Sequence, residues 1–169
     1  MRKRNKMKTI DIEIAVMEYI GVRQHLIVPN VSWGISSKTK VLHECDILSL
    51  SKSGYGTEVE IKVSKHDLLK DKEKWHGHYH DYIAHLFFAV PELLEDLALA
   101  NIPERAGLFV AKKYTSGNEI FIEQVRACQR NKDAVKWSDE DRYKLARLGT
   151  LRILGLKEKI RNLQNQRLL

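Results

Sequence analysis

The chain has 169 residues, 43% of them hydrophobic and 30% charged, with only three prolines, which fits one globular domain able to bury a core. Its formal charge of +7 and pI of about 9.4 favour a polyanionic partner, because each phosphate contact releases condensed counterions. Cys45 and Cys128 are too far apart for a zinc pairing, no disulfide framework or signal peptide is visible, and no apolar run reaches bilayer length; a reducing cytoplasm is expected, and no membrane partner.

Five of the first eight residues are Lys or Arg and read as a basic flexible arm, leaving residues 9–169 as a single domain. Ile10, Ile14 and Met17 fall on one stripe at helical spacing, which predicts an amphipathic helix over 9–20 ending near Gly21. Leu26-Ile27-Val28, Pro29 and the alternating Val31, Trp33 and Ile35 predict an extended segment bent at the proline. Residues 41–50 and 57–63 are β-like runs, and Gly54 and Gly56 between them predict a hairpin. Ser64, with Asp67 three residues on, is a capping start for a helix reaching about Trp75. His85–Val90 is a compact apolar strand stopped by Pro91, which opens a helix over Glu92–Ala100. Gly107–Ala111 and Glu119–Arg126 predict two further strands. Ser138 before Asp139-Glu140-Asp141 starts a helix through Leu154, and 157–169 read as a last polar-faced helix or a fraying tail. This order predicts an α/β fold, a mixed sheet flanked by helices.

Glu58-Val59-Glu60-Ile61-Lys62 carries the chemistry. Alternation along a strand puts Glu58, Glu60 and Lys62 on one face and Val59, Ile61 and Val63 on the other. Glu60 and Lys62 then stand roughly 7 Å apart along the strand, within reach of one ion and one phosphate. With the turn centred on Ser53, Asp46 faces Glu60 and Glu44 faces Lys62; a one-residue slip sends Asp46 to the other face. Crowded carboxylates resist joint ionisation, and a hard divalent cation relieves that cost. Oxygen-only ligands suit Mg²⁺ or Mn²⁺, which also bind substrate phosphates. Lys62 would orient the attacking water or stabilise developing negative charge. The same Glu-x-Glu-x-Lys spacing equally describes the solvated face of an antiparallel sheet, so spacing does not decide between the two.

Glu44-Cys45-Asp46, then Glu58-Val59-Glu60-Ile61-Lys62, then Ser64 and Asp67-Leu68-Leu69-Lys70-Asp71 resemble the core of the PD-(D/E)XK nuclease superfamily. More narrowly, they resemble MmcB-like DNA-repair proteins and related phage or mobile-element proteins, over about residues 10–112. The resemblance implies a restriction-endonuclease-like fold with an αβββαβ core and a magnesium-dependent deoxyribonuclease. It implies that Asp46 and Glu60 hold the ion, that the carbonyl of Ile61 completes the site, and that Lys62 assists the water. It also implies an acid from the first helix, for which Glu13 is the candidate and Glu18 the alternative. Cys45 replaces the name-giving proline at a position that varies in the superfamily. Some members bind without cutting, so a non-catalytic DNA-binding or repair-accessory protein is the alternative function.

Other features carry competing readings. His76-x-His78-x-His80 suits a metal on a strand, but Gly77 and the flanking charges favour a loop contacting phosphate or solvent. Lys65, Lys70, Lys72 and Lys74 form either a solvated face or a guide for DNA phosphates, with Lys65 and Lys70 nearest the strand end and on one side. Trp33, Trp75, Tyr79 and Trp137 suit base stacking but more often pack at a core edge. Tyr143, Leu148 and Leu151 suit either a homodimer seam or the capping of the sheet.

Overall fold

The structure, a computed structural model, describes residues 7–35, 41–70, 80–114 and 119–166. Six strands form one open sheet in chain order: β1 Leu26–Ile35, β2 Val41–Leu50, β3 Gly56–Ile61, β4 Ile83–Pro91, β5 Gly107–Lys113 and β6 Ile120–Arg126. β1, β2 and β3 pair antiparallel, β3, β4 and β5 pair parallel, and β6 returns antiparallel. With α1 Thr9–Ile20, α2 Lys65–Lys70, α3 Glu95–Leu99 and α4 Asp139–Gln166 this is an α/β fold consistent with a restriction-endonuclease-like arrangement. α2 lies in the β3–β4 connection and α3 in the β4–β5 connection, as parallel neighbours require a crossover.

α1 ends at Gly21, whose φ of 95° is the left-handed conformation that closes a helix. Its buried stripe differs from the expected one. Ile12, Ala15 and Val16 are buried, while Ile10 and Ile14 are each 51% exposed. Isoleucine at 10, 12 and 14 offers two competing stripes, and the one bearing small Ala15 packs against Ile47, Val59, Ile61, Ala89 and Phe109 of the sheet.

The bend expected at Pro29 is a local irregularity within a continuous β1. Pro29 pairs with Ile47 and Val31 with Cys45, while Asn30 between them takes a φ of 53°. The β2–β3 hairpin has the expected register, Leu48 opposite Glu58 and Leu50 opposite Gly56. Its turn closes through Ser51 N–H donating to the Tyr55 carbonyl at 3.1 Å, with Gly54 at a φ of 91°. Ser64 Oγ accepts the Asp67 N–H at 3.2 Å and so caps α2; the expected helix end near Trp75 lies outside the described residues. The expected helix after Pro91 is shorter, a 3-10 turn at Glu92–Leu94 followed by α3.

Ser138 caps α4, its Oγ accepting the Asp141 N–H at 3.1 Å. α4 then runs without the expected break through the half-buried Gly155 to Gln166, because one interior glycine costs a helix only about 1 kcal/mol. Tyr143, Leu148 and Leu151 do not share a stripe: Leu148 packs towards the body while Tyr143 and Leu151 are exposed. Trp137 is a packing residue, buried at the core edge with Nε1 donating to the Tyr82 carbonyl at 2.9 Å. Among the described residues no helix is long and apolar enough to cross a membrane.

Parallel pairing at β4–β5 requires Gly107. A Cβ there would run into the ring of its ladder partner Phe87, which stacks on Phe109 with centroids 4.2 Å apart, and into the Arg126 carbonyl oxygen. Gly107→Ala is expected to destabilise the fold by about 1–3 kcal/mol in urea unfolding, the usual penalty of overpacking.

Candidate active site

β3 is an interior strand, and its neighbours decide what happens to its charges. On the Glu58 face its ladder partners are Leu48 and Leu86, both fully buried, and Phe88 lies opposite Glu60. Glu58, Glu60 and Lys62 are consequently 0%, 2% and 5% exposed. This excludes the solvated-face reading of Glu-x-Glu-x-Lys. Charged side chains reach such burial only where pairing or function compensates the lost hydration.

Lys62 Nζ donates to Glu60 Oε2 at 2.7 Å, the contact that same-face residues two apart can make. Past Ile47–Val59 the β2–β3 ladder gives way to a side chain: Asp46 Oδ2 accepts the Ile61 N–H at 2.7 Å. That bond fixes the half-buried Asp46 carboxylate at the end of β3. Asn30, Val31, Ser32, Glu44, Cys45, Asp46, Glu60 and Lys62 line one cleft of about 320 Å³. Asp46, Glu60 and Lys62 are therefore brought together.

The first helix contributes from the other side. Asn30 Nδ2 donates to Glu13 Oε2 at 3.4 Å. Burial pushes the Glu13 carboxyl above its ordinary value, the Asn30 bond opposes the rise, and the Asp46 charge adds to it. Glu18 instead lines a separate cleft with Asp11, Tyr19 and Tyr114, so Glu13 is the helix acid that faces Asp46. A raised carboxyl pKa favours the protonated folded state, so this group's contribution to stability grows as pH falls through the folded value. Glu13→Gln is accordingly expected to raise the metal-free Tm slightly at pH 7, with the gain vanishing towards pH 4, by thermal unfolding across that range.

Buried Cys45 reports the same field. Burial, then Glu58, Glu60 and Asp46 in turn, push its thiol far above the usual range, so it is an inert wall of the cleft. Asn30 and Ser32 were not singled out by sequence patterning; the Pro29-Asn30 breaker inside an apolar strand was the available signal. Lys65 and Lys70 are both exposed on α2, but five residues turn about 140° around a helix, so they do not share a side. His80 Nδ1 accepts the Tyr82 N–H at 3.1 Å, whereas His76 and His78 lie outside the described residues, as do Lys72, Lys74, Trp75, Tyr79 and the Trp33 side chain. Among the described residues no three His, Cys, Asp or Glu side chains group closely enough to hold an ion by themselves.

A family model described as DNA repair protein MmcB-like matches residues 3–131. The chain belongs to the MmcB-like family. The matched stretch runs from before α1 to just past β6 and so contains the whole sheet and the cleft, while α4 lies beyond it. Membership points to a role in DNA repair, with DNA as the partner. A comparison with curated proteins returns no match. The chain is also similar to the solved structure of a protein of unknown function from Silicibacter pomeroyi, at a TM-score of 0.57 and 17% identity over 97% of this chain and 96% of that one. At that identity the likeness concerns the fold alone.

Proposed function

We propose that this MmcB-like protein is a metal-dependent DNA phosphodiester hydrolase of the PD-(D/E)XK type, acting in repair or in processing phage or mobile-element DNA. The observation that carries the reading is a buried Glu60–Lys62 pair on the same cleft as Asp46, on a sheet face walled by Leu48, Leu86 and Phe88. The donor set fits a hard cation: Asp46 and Glu60, with the main-chain carbonyl of Ile61, offer oxygen only, which suits Mg²⁺ or Mn²⁺. Two carboxylates and a carbonyl also need no third acidic side chain. When bound, the ion would supply Lewis acidity towards water and a phosphoryl oxygen.

The chain's own groups divide the remaining work. Asp46 is held in place by the Ile61 N–H, so its carboxylate needs little reorganisation. Lys62, at 2.7 Å from Glu60, is placed to orient a water and to stabilise negative charge as the phosphodiester is attacked. Glu13, steadied by Asn30, adds negative charge beside Asp46. Exposed Lys65 and Lys70, just beyond Lys62, hold the DNA backbone through its phosphates.

The test is an assay with Mg²⁺ or Mn²⁺ on single-stranded, double-stranded and branched DNA, comparing the wild type with Asp46→Ala and Lys62→Ala. Metal-dependent cutting by the wild type alone is expected. Equal background from all three rejects catalysis. The close Lys62–Glu60 pair also suits the second reading, an accessory protein whose charges are structural. That protein would bind DNA in a salt-sensitive manner, keep binding after Asp46→Ala, and cut nothing.

A further inference from the structure

α4 puts one face to use against the body and then carries that face beyond it. Leu145 is buried with Val28 of β1, and a Cβ on Gly149 would meet Val28 at 3.4 Å. Arg152 Nη2 adds a further tie to the body, donating to the Asn30 carbonyl at 2.6 Å. Past that point the helix continues to Gln166. Its face continues too: Leu145, Gly149, Ile153, Leu156, Ile160 and Leu163 recur in steps of three and four.

From Ile153 onward this is a heptad seam with isoleucine at the a positions, Ile153 and Ile160, and leucine at the d positions, Leu156 and Leu163. Isoleucine at a with leucine at d favours two-stranded packing. These four side chains are 58%, 54%, 59% and 60% exposed, in the order just given. Leu151 and Leu154, also exposed, lie off the seam about one turn apart.

The flanks select the occupant. The positions beside the seam hold Arg152, Lys157, Lys159, Gln164 and Gln166, with no acid among them. A parallel second copy would set Arg152 against the other copy's Lys157, a like-charge pairing at the positions that normally choose partners. A membrane-surface helix spreads Trp, Phe or Leu over a broad apolar face, whereas this seam is a narrow a/d stripe and residues 144–166 contain no aromatic side chain. An acidic helix satisfies both the seam and its borders.

We propose that the stretch of α4 past the Arg152–Asn30 tie, residues 153–166, forms a docking surface for an acidic amphipathic helix of a partner protein. The exposed seam from Ile153 onward lies outside the stretch the family model matches and past the Arg152 tie to the cleft rim at Asn30, so it serves recruitment whether or not the cleft cuts DNA.

The test uses the full chain and two fluorescent 21-residue heptad peptides, both with isoleucine at a and leucine at d. One carries glutamate at the e and g positions and the other carries lysine. Fluorescence anisotropy is expected to show the glutamate peptide binding at least tenfold tighter than the lysine peptide. Ile160→Asp, at an exposed position, is expected to abolish that binding while leaving circular dichroism and DNA affinity unchanged. Equal affinity for the two peptides, or no binding of either, overturns the proposal. So does a chain dimer in sedimentation equilibrium that Ile160→Asp dissociates, or sedimentation with phosphatidylglycerol vesicles that the same substitution abolishes.

Discussion

Lys62→Met is expected to destabilise the metal-free protein by about 3–5 kcal/mol, the usual result of removing one partner from a buried ion pair. Methionine keeps most of the side-chain volume, so the loss reports charge more than packing. Glu60, 2% exposed, would lose the ammonium that now sits 2.7 Å away. The double variant Glu60→Gln/Lys62→Met should recover much of the loss, since replacing both partners of a buried pair is often near neutral. Magnesium provides the discriminating step. If Glu60 binds the ion, Mg²⁺ should raise the Tm of Lys62→Met more than that of the wild type, because the cation then restores a lost counter-charge. An equal shift in both proteins assigns the pair a structural role only.

That prediction depends on burial, which was the least legible property of the sequence. Alternation in Glu58–Lys62 puts three charges on one face, while the turn at Ser51–Gly56 leaves open two registers, of which the one centred on Ser53 brings Asp46 to the end of β3. Both are local properties, written within about twenty residues. Whether that face meets water depends on Leu48, Leu86 and Phe88 beside it, and on β3 lying third in a six-stranded sheet. Strand order is a long-range outcome, so the same five residues read equally well as a solvated face. α1 shows a similar limit. Its span and its Gly21 stop are local, but isoleucine at 10, 12 and 14 leaves the inward stripe to be chosen by the sheet it packs on. Asn30 was illegible for the same reason, because its value lies in reaching Glu13 from a strand that follows the helix. In α4 the limit runs the other way: the sequence reads as one helix through Leu154 and a last helix or fraying tail over 157–169, yet a single helix continues through Gly155.

Asp46→Asn should leave the fold intact and lower kcat/KM for DNA cleavage by at least 10³-fold, which at about 1.4 kcal/mol per decade is about 4 kcal/mol of transition-state stabilisation. The asparagine carbonyl oxygen can still accept the Ile61 N–H that now donates to Asp46 at 2.7 Å. What disappears is the negative charge, and with it a ligand of the proposed ion. Asp46→Ala should show the same kinetic loss and an added structural one. Ile61 is 4% exposed, and its N–H would be left without this acceptor, at a cost of about 1–3 kcal/mol in denaturant unfolding. The pair of variants thus separates two roles of one side chain. DNA affinity, measured without metal at fixed salt, should stay within threefold for both, because Asp46 contacts no phosphate by attraction. A cleavage rate for Asp46→Asn close to that of the wild type would remove Asp46 from the chemistry. It would leave the carboxylate as a cap on the end of β3, whatever else the cleft binds.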